Sequence, residues 1–310
     1  MATTTIKRLT LLFSICWIAI QGNGQQDPQF SQYFFNTLAV NSGYAGSRDM
    51  LNVTLLAREQ WLGMEGRPRT QTLAIHSPLT NDAIGLGLSV INDQLGPVRN
   101  TSIMGDVAYR IRVTHRSRLA FGVKAGLNLF KAGLADLEGT DADDIAFSQN
   151  ITTRPLPNFG FSLYWWSDRH FLGFSTPKLI ENDLSRTDEV VSIGKEKRHF
   201  FVIGGMVFNV HPVIKFKPTF QLKYVAGSPV SADFTGNILF DDVLWIGGFY
   251  RIGDAAGALL SYQITDQLRL GYSYDYTLSK LSNFTSGSHE IMVSYDFRFR
   301  KDGIISPRFF

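Results

Sequence analysis

The chain has 310 residues, of which 44% are hydrophobic, 13% aromatic and only 18% charged, with a formal net charge of +3. A soluble globular domain usually carries about 25% charged residues, and 28 glycines beside 24 phenylalanines suit neither a disordered nor a collagen-like chain. The small net charge does not point to a nucleic-acid partner. Cys16 is the one cysteine, so the chain beyond it has no disulfide and no cysteine metal site.

Lys7 and Arg8 precede an apolar run from Leu9 to Ile20, and Gly22, Asn23 and Gly24 follow it. This three-part layout predicts a cleaved secretory signal over 1–24, with Gln25 as the first mature residue. The run of about 12 apolar residues falls short of the roughly 20 that a membrane helix needs, and no later segment reaches that length. Phe13-Ser14-Ile15 places a bulky residue directly before Cys16, which argues against a lipid-anchored start there.

The next segment, 25–50, is rich in aromatics and amides and follows neither the strand nor the helix period. It contains Gln26, Asp27, Pro28, Gln29, Phe30, Ser31, Gln32, Tyr33, Phe34, Phe35 and Asn36, then Asn41, Ser42, Gly43, Tyr44, Ala45, Gly46 and Ser47. Phe30, Tyr33, Phe34 and Phe35 need somewhere to bury, so a free tail is a poor reading. A barrel of about fourteen strands has room for such a segment as a plug.

Beyond it the pattern changes to windows of alternating character. Ile291, Val293, Tyr295, Phe297 and Phe299 share one parity, against Met292, Ser294, Asp296, Arg298 and Arg300 on the other. Leu268, Leu270, Tyr272, Tyr274 and Tyr276 oppose Arg269, Gly271, Ser273, Asp275 and Thr277, and Ile214, Phe216, Phe220, Leu222 and Tyr224 oppose Lys215, Lys217, Thr219, Gln221 and Lys223. Side chains alternate across a strand, so each window has a greasy and a polar face.

Fourteen windows begin near Leu51, Thr70, Ala83, Arg99, Ser117, Asn158, His170, His199, Val213, Val230, Val243, Ala255, Leu268 and His289. The one at His170 is short, and the one at His199 is apolar on both parities. After even-numbered windows the connections are brief: 77–82, 114–116, 167–169, 211–212, 241–242 and 265–267. The long ones, 131–156, 176–198 and 278–288, with a shorter one at 61–69, all follow odd-numbered windows. Short turns on one rim and long loops on the other are the layout of an outer-membrane barrel. A soluble sandwich, with its apolar faces turned inward, has no reason to obey that parity. The predicted fold is a single all-β transmembrane antiparallel barrel of about 14 strands over 51–310.

Three further features fit that fold. Tyr164, Trp165, Trp166, Trp245, Phe249 and Tyr250 stand near window ends, as interfacial girdles do. The chain ends Arg308, Phe309, Phe310, similar to the terminal aromatic that many such barrels present. Gly85, Gly87, Gly122 and Gly126 fall on the polar parity, which suits a lumen where something packs closely against the wall.

Candidate chemistry is sparse. His76, His115, His170, His199, His211 and His289 are scattered, with no pair at metal-ligand spacing, and no nucleophile elbow is present. Asp141, Asp143 and Asp144 lack the glycine and closing glutamate of a calcium loop and read as a solvated acidic loop. No metal, cofactor or catalytic residue is expected. Lys124, Lys215, Lys217, Lys223, Arg269, Arg298 and Arg300 fall on the lumen side. They either form a basic surface that holds a polypeptide or an anion, or are balanced by acids such as Asp275 and Asp296.

The run Gln26-Asp27-Pro28-Gln29-Phe30-Ser31-Gln32-Tyr33 and the later Tyr44-Ala45-Gly46 resemble the N-terminal signature of the PorP/SprF proteins, outer-membrane components of the type IX secretion system of Bacteroidetes. Ser42 and Gly43 stand where members usually carry Pro-Ala, a departure that affects only the local turn, and the ending from Ser306 to Phe310 is also similar. The resemblance implies a barrel that helps particular cargo proteins, gliding adhesins among them, to cross or remain at the outer membrane, recognised through a C-terminal sorting domain. The partners it implies are that cargo, other secretion components and the outer-membrane bilayer. It implies no catalytic residue and transfers no cargo-binding one. A diffusion channel or hydrophobic-solute transporter is the alternative that the same strand pattern allows, and a soluble all-β binding protein the third.

Overall fold

The computed structural model describes residues 27–79, 82–134, 150–185 and 192–297. The predicted export signal, Gln26, the acidic cluster Asp141, Asp143 and Asp144, Arg298, Arg300 and the terminal aromatics lie outside them. Fourteen strands form the wall: β1 Leu51–Glu59, β2 Arg69–Pro78, β3 Ile84–Leu95, β4 Val98–Thr114, β5 Ser117–Ala132, β6 Leu156–Ser167, β7 His170–Thr176, β8 His199–Met206, β9 Ile214–Val225, β10 Ser231–Phe240, β11 Leu244–Arg251, β12 Ala255–Gln263, β13 Leu268–Thr277 and β14 Ser288–Phe297. Each starts within two residues of the window the alternation predicts. Every strand pairs antiparallel with its neighbours in sequence. β1 also pairs with β14, from Leu51 opposite Phe297 to Glu59 opposite His289, which closes the sheet into a ring.

Closure removes the edges whose unpaired backbone groups no lipid could satisfy. The two faces of the wall are inverted relative to a water-soluble protein. Leu55, Val107, Tyr109, Val123, Phe234 and Ile291 are exposed on the outside, while Thr54, Asp106, Lys124, Asn237, Ser273 and Glu290 are buried inside. An apolar belt outside and a polar interior suit a bilayer, and among the described residues no helix is long and apolar enough to cross one.

The two weak windows are both strands, and the structure explains each. β7 has only 7 residues because the chain turns inward after Thr176, so that Pro177 lies against Gly160 of β6. β8 is apolar on both parities because its inward Phe201 and Ile203 are buried too, Ile203 packing with Leu38 and Tyr44 of the N-terminal segment. Val207 interrupts β8, and Phe208–His211 resumes the pairing with β9.

The girdle expectation is corrected in part. Tyr164, Trp245 and Phe249 point inward and are buried, Trp245 at 1% exposure. They face residues of the N-terminal segment, so their role is core packing. Tyr250, by contrast, is exposed on the outer face.

Candidate functional site

The N-terminal segment runs through the lumen from the long-loop rim to the short-turn rim. Its contacts reach strands around the whole ring: Arg58 of β1, Thr72 of β2, Lys124 of β5, Ser162 of β6, Thr219 of β9, Asp275 of β13 and Glu290 of β14. Tight turns at Thr37–Ala39 and Ser42–Tyr44 let so short a stretch fill this width.

At the long-loop rim the contacts are ionic. Asp27 pairs with Lys178 at 2.9 Å and lies 3.4 Å from the His199 ring, and its backbone carbonyl accepts from Lys223 at 2.8 Å. Burial alone would raise the Asp27 carboxyl, but Lys178, with His199 and Lys223, outweighs it and holds the group well below the usual carboxylate range. Burial likewise opposes charge on Lys178, and Asp27 and Glu196 outweigh it and raise the ammonium above its ordinary value. Glu196 accepts from the side-chain amides of Asn128, Asn158 and Asn182, which ties the two described ends of the connection after β7 to each other and to the wall.

One turn deeper, the Ser31 and Gln32 backbone N–H groups donate to Glu290 at 3.0 and 2.8 Å, and the Ser31 hydroxyl donates to Asp275 at 2.7 Å. Arg58 completes this knot, 2.6 Å from Asp275 and 3.3 Å from Glu290. Arg251 adds its charge from the far side, bonded to Asp233 at 2.8 Å. Two buried carboxylates and a buried guanidinium are tolerable only because each is paired and hydrogen-bonded.

The middle is aromatic. Phe30, Tyr33, Phe34 and Phe35 form one buried cluster with Leu56, Trp245, Phe249, Leu259 and Met292 of the wall. Phe35 meets Trp245 edge-on at 6.0 Å, and the Tyr33 hydroxyl lies 2.8 Å from that of Thr219. Lys217 sits beneath the rings of Phe34, Trp245, Phe35 and Phe171, at 4.9 to 5.8 Å from their centroids, a cation–π cage that offsets its loss of water.

The lower third is held by close backbone approach. A Cβ on Gly85 would collide with the Ala45 carbonyl, and one on Gly122 with the backbone of Ser42 and Gly43. Gly87 makes room for Leu38. Gly126 differs from the expectation, because the atoms nearest to its free side are those of Ile103 and Met104 of the neighbouring strand. Tyr44 packs edge-on between His76 and Tyr164. Gly46, at φ +72°, donates to the His76 ring at 3.1 Å and accepts from Arg110 at 2.6 Å. Arg48, paired with Asp296 at 2.9 Å, ends the segment at the short-turn rim.

The cations expected in the lumen are placed as follows. Lys124 is buried, ion-paired with Asp106 at 2.9 Å and donating to the Leu38 carbonyl at 3.2 Å. Lys217 and Lys223 are buried as described, and Arg269 lies 5.0 Å over the Phe35 ring and donates to Gln263 at 2.9 Å. Lys215 is on the inward parity but at the short-turn rim, paired with the exposed Asp242. Arg48, Arg58, Arg110 and Arg251 were not singled out by sequence reasoning, although Arg58 shares the inward parity of Asn52 and Thr54. Among the described residues no group of three histidine, cysteine or acidic side chains is placed to hold a metal.

Against this geometry, the family model described as type IX secretion system membrane protein PorP/SprF matches residues 22–295. The chain belongs to the PorP/SprF family. It is therefore an outer-membrane barrel of the type IX secretion system, and in such barrels short turns face the periplasm and long loops the outside. Among solved structures it is similar to the outer-membrane protein Omp33 of Acinetobacter baumannii, at 9% identity and a TM-score of 0.45 over 80% of this chain and 98% of that one. A Pseudomonas aeruginosa FadL homologue shows 12% identity and a TM-score of 0.45 over 80% and 90% of the two chains. The KdgM porin shows 11% and 0.38 over 80% and 99%. No curated protein matches the chain.

Proposed function

We propose that this PorP/SprF barrel binds one specific secreted cargo protein, such as a gliding adhesin, through the cargo's C-terminal sorting domain, and supports its export or its retention at the surface without catalysis. Family membership over 22–295 carries this reading. The long connections that all leave the barrel on one rim support it, because a partner arriving on that side meets them first. In this reading 1–24 is the cleaved signal, 25–50 the family-signature plug and 51–310 the barrel. The lumen cations Lys124, Lys217, Lys223 and Arg269 serve the plug, and Lys215 extends that basic lining toward the periplasmic end.

The alternative of a diffusion channel or hydrophobic-solute transporter needs a path through the lumen that residues 27–48 fill. The test is to delete the gene and to purify the tagged barrel from outer membranes in mild detergent. One surface protein stranded inside the deletion strain, and the same protein identified by mass spectrometry with the purified barrel, is the expected result. Unchanged export of every surface protein together with recovery of the barrel alone would overturn the proposal.

A further inference from the structure

The periplasmic mouth carries a second feature, remote from the extracellular loops. Beneath the foot of the plug lies a cavity of about 260 Å³ bordered by the β4–β5 hairpin and the end of β6. Arg112, Arg116 and Arg118 line it, and so do Trp166, Asp49 and Asp168. Asp49 is already engaged, by Arg118 at 3.0 Å and Arg110 at 3.2 Å. The guanidinium groups of Arg112 and Arg116 have no hydrogen-bond or ion-pair partner among the described residues, and both are exposed. Trp166 is half-buried and lies against Tyr164, ring centroids 5.4 Å apart, which fixes an apolar face beside the arginines.

Three properties define what fits. Arginines outnumber carboxylates in the lining, where Asp168 stands beside the engaged Asp49, so the charge in excess is guanidinium, whose planar fork suits carboxylates and phosphates. The aromatic wall adds an apolar contact next to that charge. The cavity is smaller than the roughly 300–1,000 Å³ of a small-molecule cleft, which suits a side chain or two of a larger partner. Arg112, Arg118 and Trp166 stand on the inward parity of their strands, inside the ring, so a bilayer lipid at the outer wall does not reach them.

We propose that this mouth docks an acidic peptide segment of a periplasmic protein, with Arg112 and Arg116 taking its carboxylates and Trp166 the adjoining apolar side chain. The occupant would also touch Asp49 at the base of the plug. This site lies on the opposite rim from the cargo surface and does not depend on that reading.

The experiment uses the full-length barrel in detergent and a fluorescein-labelled hexapeptide of alternating Glu and Phe, followed by fluorescence anisotropy. The wild-type protein is expected to bind it and to release it at about 0.5 M salt. The R112E/R116E variant should bind about tenfold more weakly or less, whereas R99E at the opposite rim should match the wild type. A peptide with Gln for Glu should not bind. Since both arginines are exposed, the barrel should still fold, which the migration of unheated samples on a gel reports; the single variant R116E, in the turn, is the fallback if the pair misfolds. Equal binding by a folded R112E/R116E or R116E barrel would overturn the proposal. Full displacement of the peptide by millimolar inorganic phosphate would also overturn it, by reducing the site to a simple anion pocket.

Discussion

The two ends of the plug are held by different physics. Near the extracellular rim the segment hangs on charges: Asp27 on Lys178, His199 and Lys223, and Ser31 and Gln32 on the Arg58, Asp275 and Glu290 knot. Near the periplasmic rim the Arg48–Asp296 pair is joined by wedging of shape, with Ala45 against Gly85, Ser42 and Gly43 against Gly122, and Tyr44 between two rings. Ionic contacts respond to protons and competing charges, whereas backbone pressed on backbone does not. The upper end is therefore the end that a change of conditions loosens first, and the lower end is the anchor.

The largest expected effect comes from breaking the anchor. Gly122→Val drives a branched side chain into the backbone of Gly43, and backbone cannot step aside as a side chain can. The cost should exceed the 1–3 kcal/mol typical of about one overpacked core position, and residues 27–48 should become open to added protease. Next comes the knot: Arg58→Met leaves Asp275 and Glu290 buried with less compensation, at a cost of about 3–5 kcal/mol. Its readout is the temperature at which the folded gel band shifts to the unfolded position. Tyr33→Phe removes only the hydroxyl paired with Thr219 and should cost about 1 kcal/mol by the same readout.

The smallest and most selective effect is pH-dependent. Because the Asp27 carboxyl is held below its ordinary range, its contribution is present above about pH 4 and is lost as the pH falls further. Acidification should raise protease cleavage near residues 27–30 while leaving the Tyr44 region protected. Equal exposure of both ends would erase the distinction between them.

Much of the wall was legible in the sequence, because strand alternation is a local property: Ile291 and Met292 declare their faces without knowledge of any distant residue. Glycines on the polar parity at 85, 87 and 122 even signalled a close internal neighbour. What could not be read was the identity of that neighbour at each point. Trp245 and Phe249 resemble girdle aromatics until Phe30, Phe34 and Phe35 are set against them, and β8 resembles a doubly apolar run until Leu38 and Tyr44 cover its inner face. Arg58 drew no notice in the sequence, since only the closing of β1 on β14, some 230 residues away, brings Glu290 to it. Contacts across such separations leave no periodic trace.

Filled by residues 27–48, the lumen should stay shut, so that the barrel acts through its rims. Current recorded across planar bilayers containing the purified, folded protein tests it most directly. No steady conductance is expected from the intact barrel, and openings only when Gly122→Val breaks the anchor. Stable open channels from the unaltered protein would contradict it.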